Sequence, residues 1–305
     1  TGSLPLDVFL GDVNSDGIKD MVVSNGSANN IYVYLNNGSG SFGSPLAYGS
    51  GSAPNDIVGG DFNGDGLLDL VVGNGGTNTV GVYLNRGNGV FNARTDYTTG
   101  LYVTDITVAD FDGDGIHDIA SIGNNENLLS ILINNGNGTF ASKVDYTPAN
   151  VPISIDSGDV NGDGFNDIVV GSVTSTVVSV FLNNGNGTFA SRVDYTNSGN
   201  PYVSLGDLNN DGKIDIAAAG NNANKMSVLM NVRNSMFYAK ASSGNVGIGS
   251  TTPWAQLSVN PNGITGPSFA IGSSTRTNFI VTNGGNVGIS TTSPFATLSV
   301  AGFGS

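Results

Sequence analysis

Five acidic segments are the part of this sequence best able to do chemistry. Each is nine residues long, with Asp at positions 1, 5 and 9 and Asn or Asp at position 3. Side-chain oxygens at such short spacing repel one another unless a cation lies between them. The pattern therefore predicts a metal site in each segment. The five segments are residues 12–20, 61–69, 110–118, 159–167 and 207–215.

The oxygen-only donor set favours calcium, a hard cation that takes carboxylate, amide and backbone carbonyl oxygens in a flexible loop. Gly at position 6 permits the sharp turn that directs the side chains inward, and position 7 is expected to offer its backbone carbonyl. An EF-hand loop begins in the same way but requires Glu at position 12, where this chain has Val, Ser or Ala. We expect Asp at position 9 to close the site instead.

We therefore predict about five structural calcium ions, each held by positions 1, 3, 5, 7 and 9 of one loop. The predicted ligands of the first two loops are Asp12, Asn14, Asp16, Ile18, Asp20, Asp61, Asn63, Asp65, Leu67 and Asp69. Those of the other three are Asp110, Asp112, Asp114, Ile116, Asp118, Asp159, Asn161, Asp163, Phe165, Asp167, Asp207, Asn209, Asp211, Lys213 and Asp215. The alternative is a set of metal-free Asn/Asp/Gly turns, against which the fivefold repetition argues. The third loop has four Asp residues and is expected to bind most tightly.

The rest of the composition excludes several classes of protein. The loops hold 16 of the 24 acidic residues in a chain of 305 residues with a net charge of −14. There is no Cys, and the only His is His117, which excludes thiol nucleophiles, disulfides and multi-His metal centres within one chain. The acidic balance argues against a nucleic-acid partner, and no apolar run is long enough to predict a membrane span.

The loops recur with a regular period, starting 49, 49, 49 and 48 residues apart. Such a period is typical of propellers, solenoids and arrays. Two kinds of aromatic residue keep the same intervals. They are Phe42, Phe91, Phe140, Phe189 and Phe237, and Tyr48, Tyr97, Tyr146 and Tyr195.

One repeat unit predicts four short strands and no helix. In the second unit these are 54–60, 69–73, 79–85 and 91–97, with Val80, Val82 and Leu84 in strict alternation. Four strands in about 40–50 residues match one propeller blade. We therefore predict an all-β fold, a β-propeller of about five four-stranded blades over residues 1–242 with a small β-rich C-terminal extension. The predicted blades are about 1–50, 51–99, 100–148, 149–197 and 198–242.

These units resemble FG-GAP/VCBS repeats, the calcium-bearing blades of integrin-alpha-like β-propellers. The resemblance covers residues 4–242, because the loop, the strand pattern and the Phe recur together, and it implies the calcium ligands named above. Family propellers commonly have about seven blades, whereas this sequence shows five. The turn at 231–236 also departs from the Asn-Asn-Gly-Asn-Gly-Thr of the two preceding blades. The ring closes with five blades, lacks blades, or is completed by another segment.

Residues 243–305 carry a different repeat, in which 244–259 recurs as 285–300, 41 residues later. Each copy predicts a strand, a turn, an aromatic residue and a strand. The pattern is similar to repeats in the shafts of phage tail fibres and large bacterial surface proteins, which implies a β-rich stalk or assembly region. Two such short units have too little core to be stable alone. Trp254 and Phe295 are candidate anchors on a neighbouring surface or, alternatively, local core residues.

Together these features predict an extracellular, cell-surface structural or adhesion protein, stabilised by calcium, that self-associates through 243–305 into a fibre or oligomer. The alternative is a monomeric binding propeller, most plausibly for glycans, with cell-surface proteins as further candidate partners. Tyr97, Tyr146 and Tyr195 recur at one position and could serve such a site, although core packing explains them better.

The sequence does not predict an enzyme or any catalytic residue. Asp7, Asp56 and Asp105 recur five residues before their loops and could form paired carboxylates in a central channel. A loop cap or a structural hydrogen bond is the favoured interpretation of these three residues. His117 lies at position 8 of the third loop and is expected to be solvated.

Overall fold

The structure, a computed structural model, describes residues 2–197, 199–220 and 225–231 and six short strands between 238 and 289. It divides the chain into two units, Thr1–Asn231 and Val232–Ser305. Every regular element in this described part is a strand, and none of its segments is a helix long and apolar enough to cross a membrane. The boundary placed at 242/243 from the sequence stays a prediction.

The first unit contains five antiparallel sheets whose strands pair in chain order. The first blade has β1 (Pro5–Gly11), β2 (Asp20–Asn25), β3 (Asn30–Tyr34) and β4 (Leu46–Gly49). The second has β5 (Pro54–Gly60), β6 (Asp69–Asn74), β7 (Thr79–Tyr83) and β8 (Thr95–Thr98). The third has β9 (Val103–Ala109), β10 (Asp118–Gly123), β11 (Leu128–Leu132) and β12 (Val144–Tyr146). The fourth has β13 (Pro152–Gly158), β14 (Asp167–Ser172), β15 (Val177–Phe181) and β16 (Val193–Thr196). The fifth has β17 (Pro201–Gly206), β18 (Asp215–Gly220) and β19 (Lys225–Leu229).

This arrangement confirms the all-β, propeller-like fold, but the last strand of the blade differs from the prediction. In the second blade the sequence predicted a fourth strand at 91–97, whereas β8 is Thr95–Thr98. Phe91 instead forms an isolated bridge with Asn85. Its N–H donates to the Tyr48 hydroxyl of the first blade (3.2 Å), so the backbone here is engaged by the neighbouring blade before the strand begins.

The hydrophobic core lies between blades. Four clusters of buried residues each combine side chains from two successive blades. Within β6, Leu70 and Val72 pack with residues of the first blade, whereas Val71 between them packs with residues of the third. Successive side chains of a strand point to opposite faces, so a central strand of each blade is covered on both sides. This is why one blade cannot be stable by itself.

The second unit contains two three-stranded sheets. The first has β20 (Tyr238–Lys240), β21 (Asn245–Gly247) and β22 (Leu257–Ser258), with β21 and β22 parallel. The second is antiparallel and has β23 (Phe269–Ser273), β24 (Arg276–Val281) and β25 (Val287–Ile289). The predicted anchors Trp254 and Phe295 lie outside the described residues.

Candidate metal centres

Each acidic loop joins the first strand of its blade to the second. The first loop, for example, leaves β1 at Gly11 and enters β2 at Asp20. The first strands of successive blades contact one another, so the loops follow a row of adjacent strands. The same local geometry repeats in all five loops, so the motif is one loop conformation that occurs once in every blade.

The carboxylate at position 1 folds the loop around itself. In the third loop the Gly115 N–H donates to Asp110 Oδ2 (2.9 Å), and in the other four the corresponding bond measures 2.7–2.9 Å. Gly at position 6 has a φ between 79° and 93° in every loop. A side chain at this φ would be strained, which explains why the turn uses Gly.

Positions 3, 5 and 7 form a second layer of hydrogen bonds. In the first loop the Asp16 N–H donates to Asn14 Oδ1 (3.0 Å), and the Ile18 N–H donates to Asp16 Oδ1 (2.8 Å). The Asn14 side-chain amide also donates to Asp16 Oδ2 (2.9 Å). Asp112 replaces this Asn in the third loop and, as a carboxylate, has no proton to donate. The third loop therefore has one more uncompensated negative charge than its counterparts.

The Asp at position 9 lies buried beneath each loop. Asp118 is fully buried, and its two oxygens accept the N–H of Phe111 (2.8 Å) and the N–H of Asn134 (2.7 Å). The same pair of bonds recurs in the other four loops. Burial raises the pKa of Asp69 and of Asp118 to about 6. A bound dication would oppose this effect by favouring the ionised carboxylate.

The third loop brings three acidic groups together. One carboxylate oxygen from each of Asp110, Asp112 and Asp118 lies within 4.8 Å of the others. Two oxygens that bind one calcium at 2.3–2.6 Å are at most about 5 Å apart, so these three fit a single ion. Asp114 is not part of this group, and among the described residues no other loop assembles three acidic groups so closely. The remaining predicted ligands, including the position-7 carbonyls, stay predictions.

No basic side chain forms an ion pair with these acids in the described part of the chain, although Lys19 and Lys213 belong to the first and fifth loops. The three ion pairs found there are Arg94–Asp96, Lys143–Asp145 and Arg192–Asp194. All three lie at or just before a fourth strand of a blade and outside the loops. The oxygen donor set suits a divalent cation, and no ion pair among the described residues occupies it.

One functional residue of the loop was missed in the sequence. An Asn follows the third strand of every blade, at 36, 85, 134, 183 and 231. The Asn134 N–H binds Asp118 of its own loop, while its side-chain amide donates to the carbonyls of His117 (3.0 Å) and Phe62 (2.8 Å). Since Phe62 belongs to the preceding loop, this Asn ties each loop to the next. The regular interval of these Asn residues is the signal that could have revealed them.

Asp7, Asp56 and Asp105 form hydrogen bonds between blades. Asp7 Oδ2 accepts the Ile57 N–H (3.0 Å) of the next blade, and Asp56 and Asp105 accept equivalent bonds of 2.8 and 2.9 Å. This is the favoured structural interpretation of the three residues. Burial, together with the charge of Asp105, raises the pKa of Asp56 well above its ordinary value. Burial also raises the pKa of Asp105, so we infer that this adjacent pair retains a proton.

The recurring tyrosines pack against the recurring phenylalanines. Tyr97 and Tyr146 meet Phe140 and Phe189 edge-on, with ring centroids 5.2 and 5.6 Å apart. Tyr195 is exposed, and the corresponding Phe237 lies outside the described residues. Core packing therefore accounts for Tyr97 and Tyr146, as the sequence favoured.

His117 differs from its predicted environment. Its side chain is partly buried and packs edge-on against Phe62 of the preceding blade, with ring centroids 6.3 Å apart. Its Nδ1 is buried without a hydrogen-bond partner among the described residues. The expectation of a solvated imidazole was wrong because position 8 points at the neighbouring blade.

The chain belongs to the FG-GAP-like repeat family. The family model matches residues 12–72, 61–121, 110–170 and 159–218. Each match begins at position 1 of one loop and ends beyond the next loop, so the family's unit contains the loop, the strands and the blade interface described above. A search of the curated proteins found no match.

Solved structures with a TM-score above 0.5 share the fold at low sequence identity. A lectin from Agrocybe aegerita, described as specifically recognising non-reducing terminal N-acetylglucosamine, is 23% identical over 74% of this chain, with a TM-score of 0.52. BBS1N in complex with ARL6DN is 12% identical over 76% of this chain, with a TM-score of 0.53. The Vibrio cholerae biofilm matrix protein Bap1 is 19% identical over 76%, with a TM-score of 0.46. The chain spans 66% of the lectin, 68% of BBS1N and 38% of Bap1.

Proposed function

We propose that this protein is an extracellular, calcium-stabilised structural or adhesion module. The observation that carries the proposal is the third loop, where three carboxylate groups converge within 4.8 Å. Neither a basic side chain nor an ordinary hydrogen-bond donor can neutralise three converging carboxylates as a divalent cation does. The same loop architecture recurs in every blade, so the proposal extends to about five ions.

The bound ions would act on folding rather than on a substrate. Taking an affinity of about 0.1 mM and about 1 mM calcium, typical of extracellular modules, each site adds about 1.4 kcal/mol to the free energy of unfolding. Five sites would add about 7 kcal/mol, comparable to the whole stability of a typical domain. At this assumed affinity the sites would fill only where calcium is close to millimolar, so the proposed extracellular location is part of the same hypothesis.

Calcium would stabilise the contacts between blades as well as the loops. Position 2 of each of the first four loops offers its carbonyl to the Asn of the following blade, as Phe62 does to Asn134 (2.8 Å). The N–H of the same residue binds the position-9 Asp. An ion that fixes the loop therefore also fixes the surface on which the next blade packs.

The surface and assembly part of the proposal rests on residues 243–305. Their two repeats resemble those of fibre shafts, and we propose that they mediate self-association. The full-length chain in millimolar calcium and in EGTA should be compared by negative-stain electron microscopy. Filaments or regular oligomers in calcium are expected. Separate single particles under both conditions would contradict the assembly role and leave a monomeric binding module.

A second candidate function is glycan binding, favoured by a groove of about 390 Å³ between the first two blades. Its lining includes Tyr48, Asn92, Arg94 and Asp96, and so combines an aromatic surface with polar groups that suit a sugar. A glycan array should detect binding that an Asn92→Ala variant loses. An array without hits would remove this candidate. The matched FG-GAP-like family is a repeat family rather than an enzyme family, and no reaction is proposed.

A further inference from the structure

Among the described residues the five blades make four internal interfaces, and one surface at each end of this row has no described blade packed against it. We call the exposed side of the first blade the leading face, formed by Val8, Asn36 and Phe42. The trailing face is the exposed side of the fifth blade, formed by Leu208, Met226, Val228 and Met230. Each face can be compared with the same positions in blades that do have a neighbour.

The leading face is apolar and exposed, and no described blade packs against it. Val8 is 53% exposed, and Phe42 is 43% exposed. The positions equivalent to Val8 are at most 9% exposed and those equivalent to Phe42 at most 8% exposed among the described residues. These buried equivalents are Ile57, Ile106, Ile155 and Val203, and Phe91, Phe140 and Phe189.

The trailing face shows the complementary pattern. Leu208 is 54% exposed and Met226 is 71% exposed. Three residues equivalent to Leu208 and all four equivalent to Met226 are fully buried under the following blade. They are Val13, Phe62 and Phe111, and Ile31, Val80, Leu129 and Val178. The trailing face thus corresponds to the surface of a blade that the following blade covers. The leading face corresponds to the surface with which a blade packs on the blade before it.

A polar group on each face also lacks the partner that it has elsewhere. The Asn85 side-chain amide donates both to Leu68 O of its own blade (2.9 Å) and to Val13 O of the preceding blade (2.8 Å). The Asn36 amide makes the first bond, to Lys19 O (3.1 Å), and no described blade supplies the second. On the trailing face, the backbone carbonyl of Leu208 occupies the position of the Val13 acceptor.

We propose that the leading face of one copy of this chain docks on the trailing face of a second copy. Phe42 would pack on Leu208, as Phe140 packs on Phe62 with ring centroids 5.9 Å apart. Val8 would be covered by Met226 and Val228, and Asn36 would donate to the Leu208 carbonyl. A second copy is the occupant because its end carries the matching half of an interface that this chain already forms four times between its own blades.

This contact is heterologous, since different surfaces of the two copies meet. It uses surfaces of the first unit and is separate from the assembly proposed for residues 243–305. It also has a diagnostic property. A copy with a substitution on its leading face keeps a native trailing face. A mixture of two copies substituted on different faces can therefore still form one native contact.

The test uses the full-length chain in sedimentation velocity over a wide concentration range. Phe42→Glu damages the leading face and Leu208→Glu damages the trailing face, and both positions are exposed, so the variants should fold. The control is Val144→Glu, which changes an exposed apolar residue of β12. The wild-type and control chains should associate as concentration rises. Each face variant alone should form smaller species, with its dissociation constant raised about tenfold or more.

An equimolar mixture of the two face variants provides the decisive result. Head-to-tail docking predicts that the mixture regains a 1:1 contact that neither variant forms alone. A mixture no larger than its separate components would overturn the proposal. So would a wild-type chain that remains monomeric throughout, since its faces would then be covered within one chain. Face variants that assemble to the wild-type size would also overturn it, because association would then use another surface, such as the one proposed in 243–305.

Discussion

Carboxylates crowd together in two regions of the first unit, the acidic loops and the first strands that carry Asp7, Asp56 and Asp105. In the loops, backbone N–H groups surround the acids, and the Gly212 N–H lowers the pKa of exposed Asp207. On the strands, burial and a neighbouring acid raise the pKa of Asp56. The exposed acids of a loop, such as Asp207, thus favour the charged form that attracts a cation, whereas burial favours a retained proton on the strands and also raises the pKa of the position-9 acids beneath the loops. The two regions resolve like-charge repulsion by different means.

The largest expected effect comes from removing the cation on which the loops depend. EGTA should lower the melting temperature by more than about 10 °C relative to 1 mM calcium, because about 7 kcal/mol of binding free energy is lost. Differential scanning calorimetry measures the shift. Magnesium at the same concentration is the control and should restore little, because it retains its waters and demands octahedral geometry. Equal melting temperatures in EGTA and in calcium would show that the loops do not depend on a cation, in which case they would not differ from the strands in this way.

The next effect on stability distinguishes the buried acid at position 9 of a loop from an exposed acid of the same loop. Asp118→Ala leaves the buried N–H groups of Phe111 and Asn134 without acceptors, so it should cost about 3 kcal/mol even in EGTA. Asp114→Ala changes an exposed rim residue of the same loop and should cost little in EGTA, with its main effect seen in calcium. Urea unfolding of both variants, with and without calcium, provides the comparison. If the two variants behave alike in EGTA, position 9 has no separate structural role.

A smaller effect sharpens the difference between individual loops. Asp112→Asn gives the third loop the donor set of the others and should weaken its calcium affinity severalfold, since ligand charge count tunes affinity. Asn63→Asp makes the reverse change in the second loop and should strengthen binding there. Calorimetric titration of both variants resolves the change. Opposite or absent shifts would mean that position 3 does not contact the ion.

The smallest effect concerns the protonated strand region. The raised pKa of Asp56 and of Asp105 implies a retained proton in the folded chain that the unfolded chain releases above about pH 4. This stabilising contribution is complete below that pH and is lost as pH rises through the raised pKa of the folded state. Asp56→Asn mimics the protonated acid beside Asp105 and Asp7, so stability should fall less as the pH rises above about 4. Urea unfolding in EGTA checks this, and an unchanged slope would place the proton elsewhere.

The loops and blades were predictable because their signals are local and repeated. Gly115 needs a positive φ wherever its turn forms, and alternation at Val80 and Val82 identifies a strand in any context. The end faces were not predictable, since Val8 and Ile57 occupy the same place in the repeat, and only the structure shows that Val8 is exposed while Ile57 is buried. His117 was misplaced for the same reason. Its neighbour Phe62 lies in another blade, and only the packing of blades brings the two rings together.

Direct calcium titration tests the central claim most simply. The full-length chain, freed of metal with EGTA and then dialysed, is titrated with calcium in an isothermal calorimeter. The account predicts close to five ions per chain at submillimolar to millimolar affinity, with the third loop filling first and losing that advantage in Asp112→Asn. A chain that binds no calcium at millimolar concentration would show that the acidic loops are hydrogen-bonded turns, and the proposed function would fall with them.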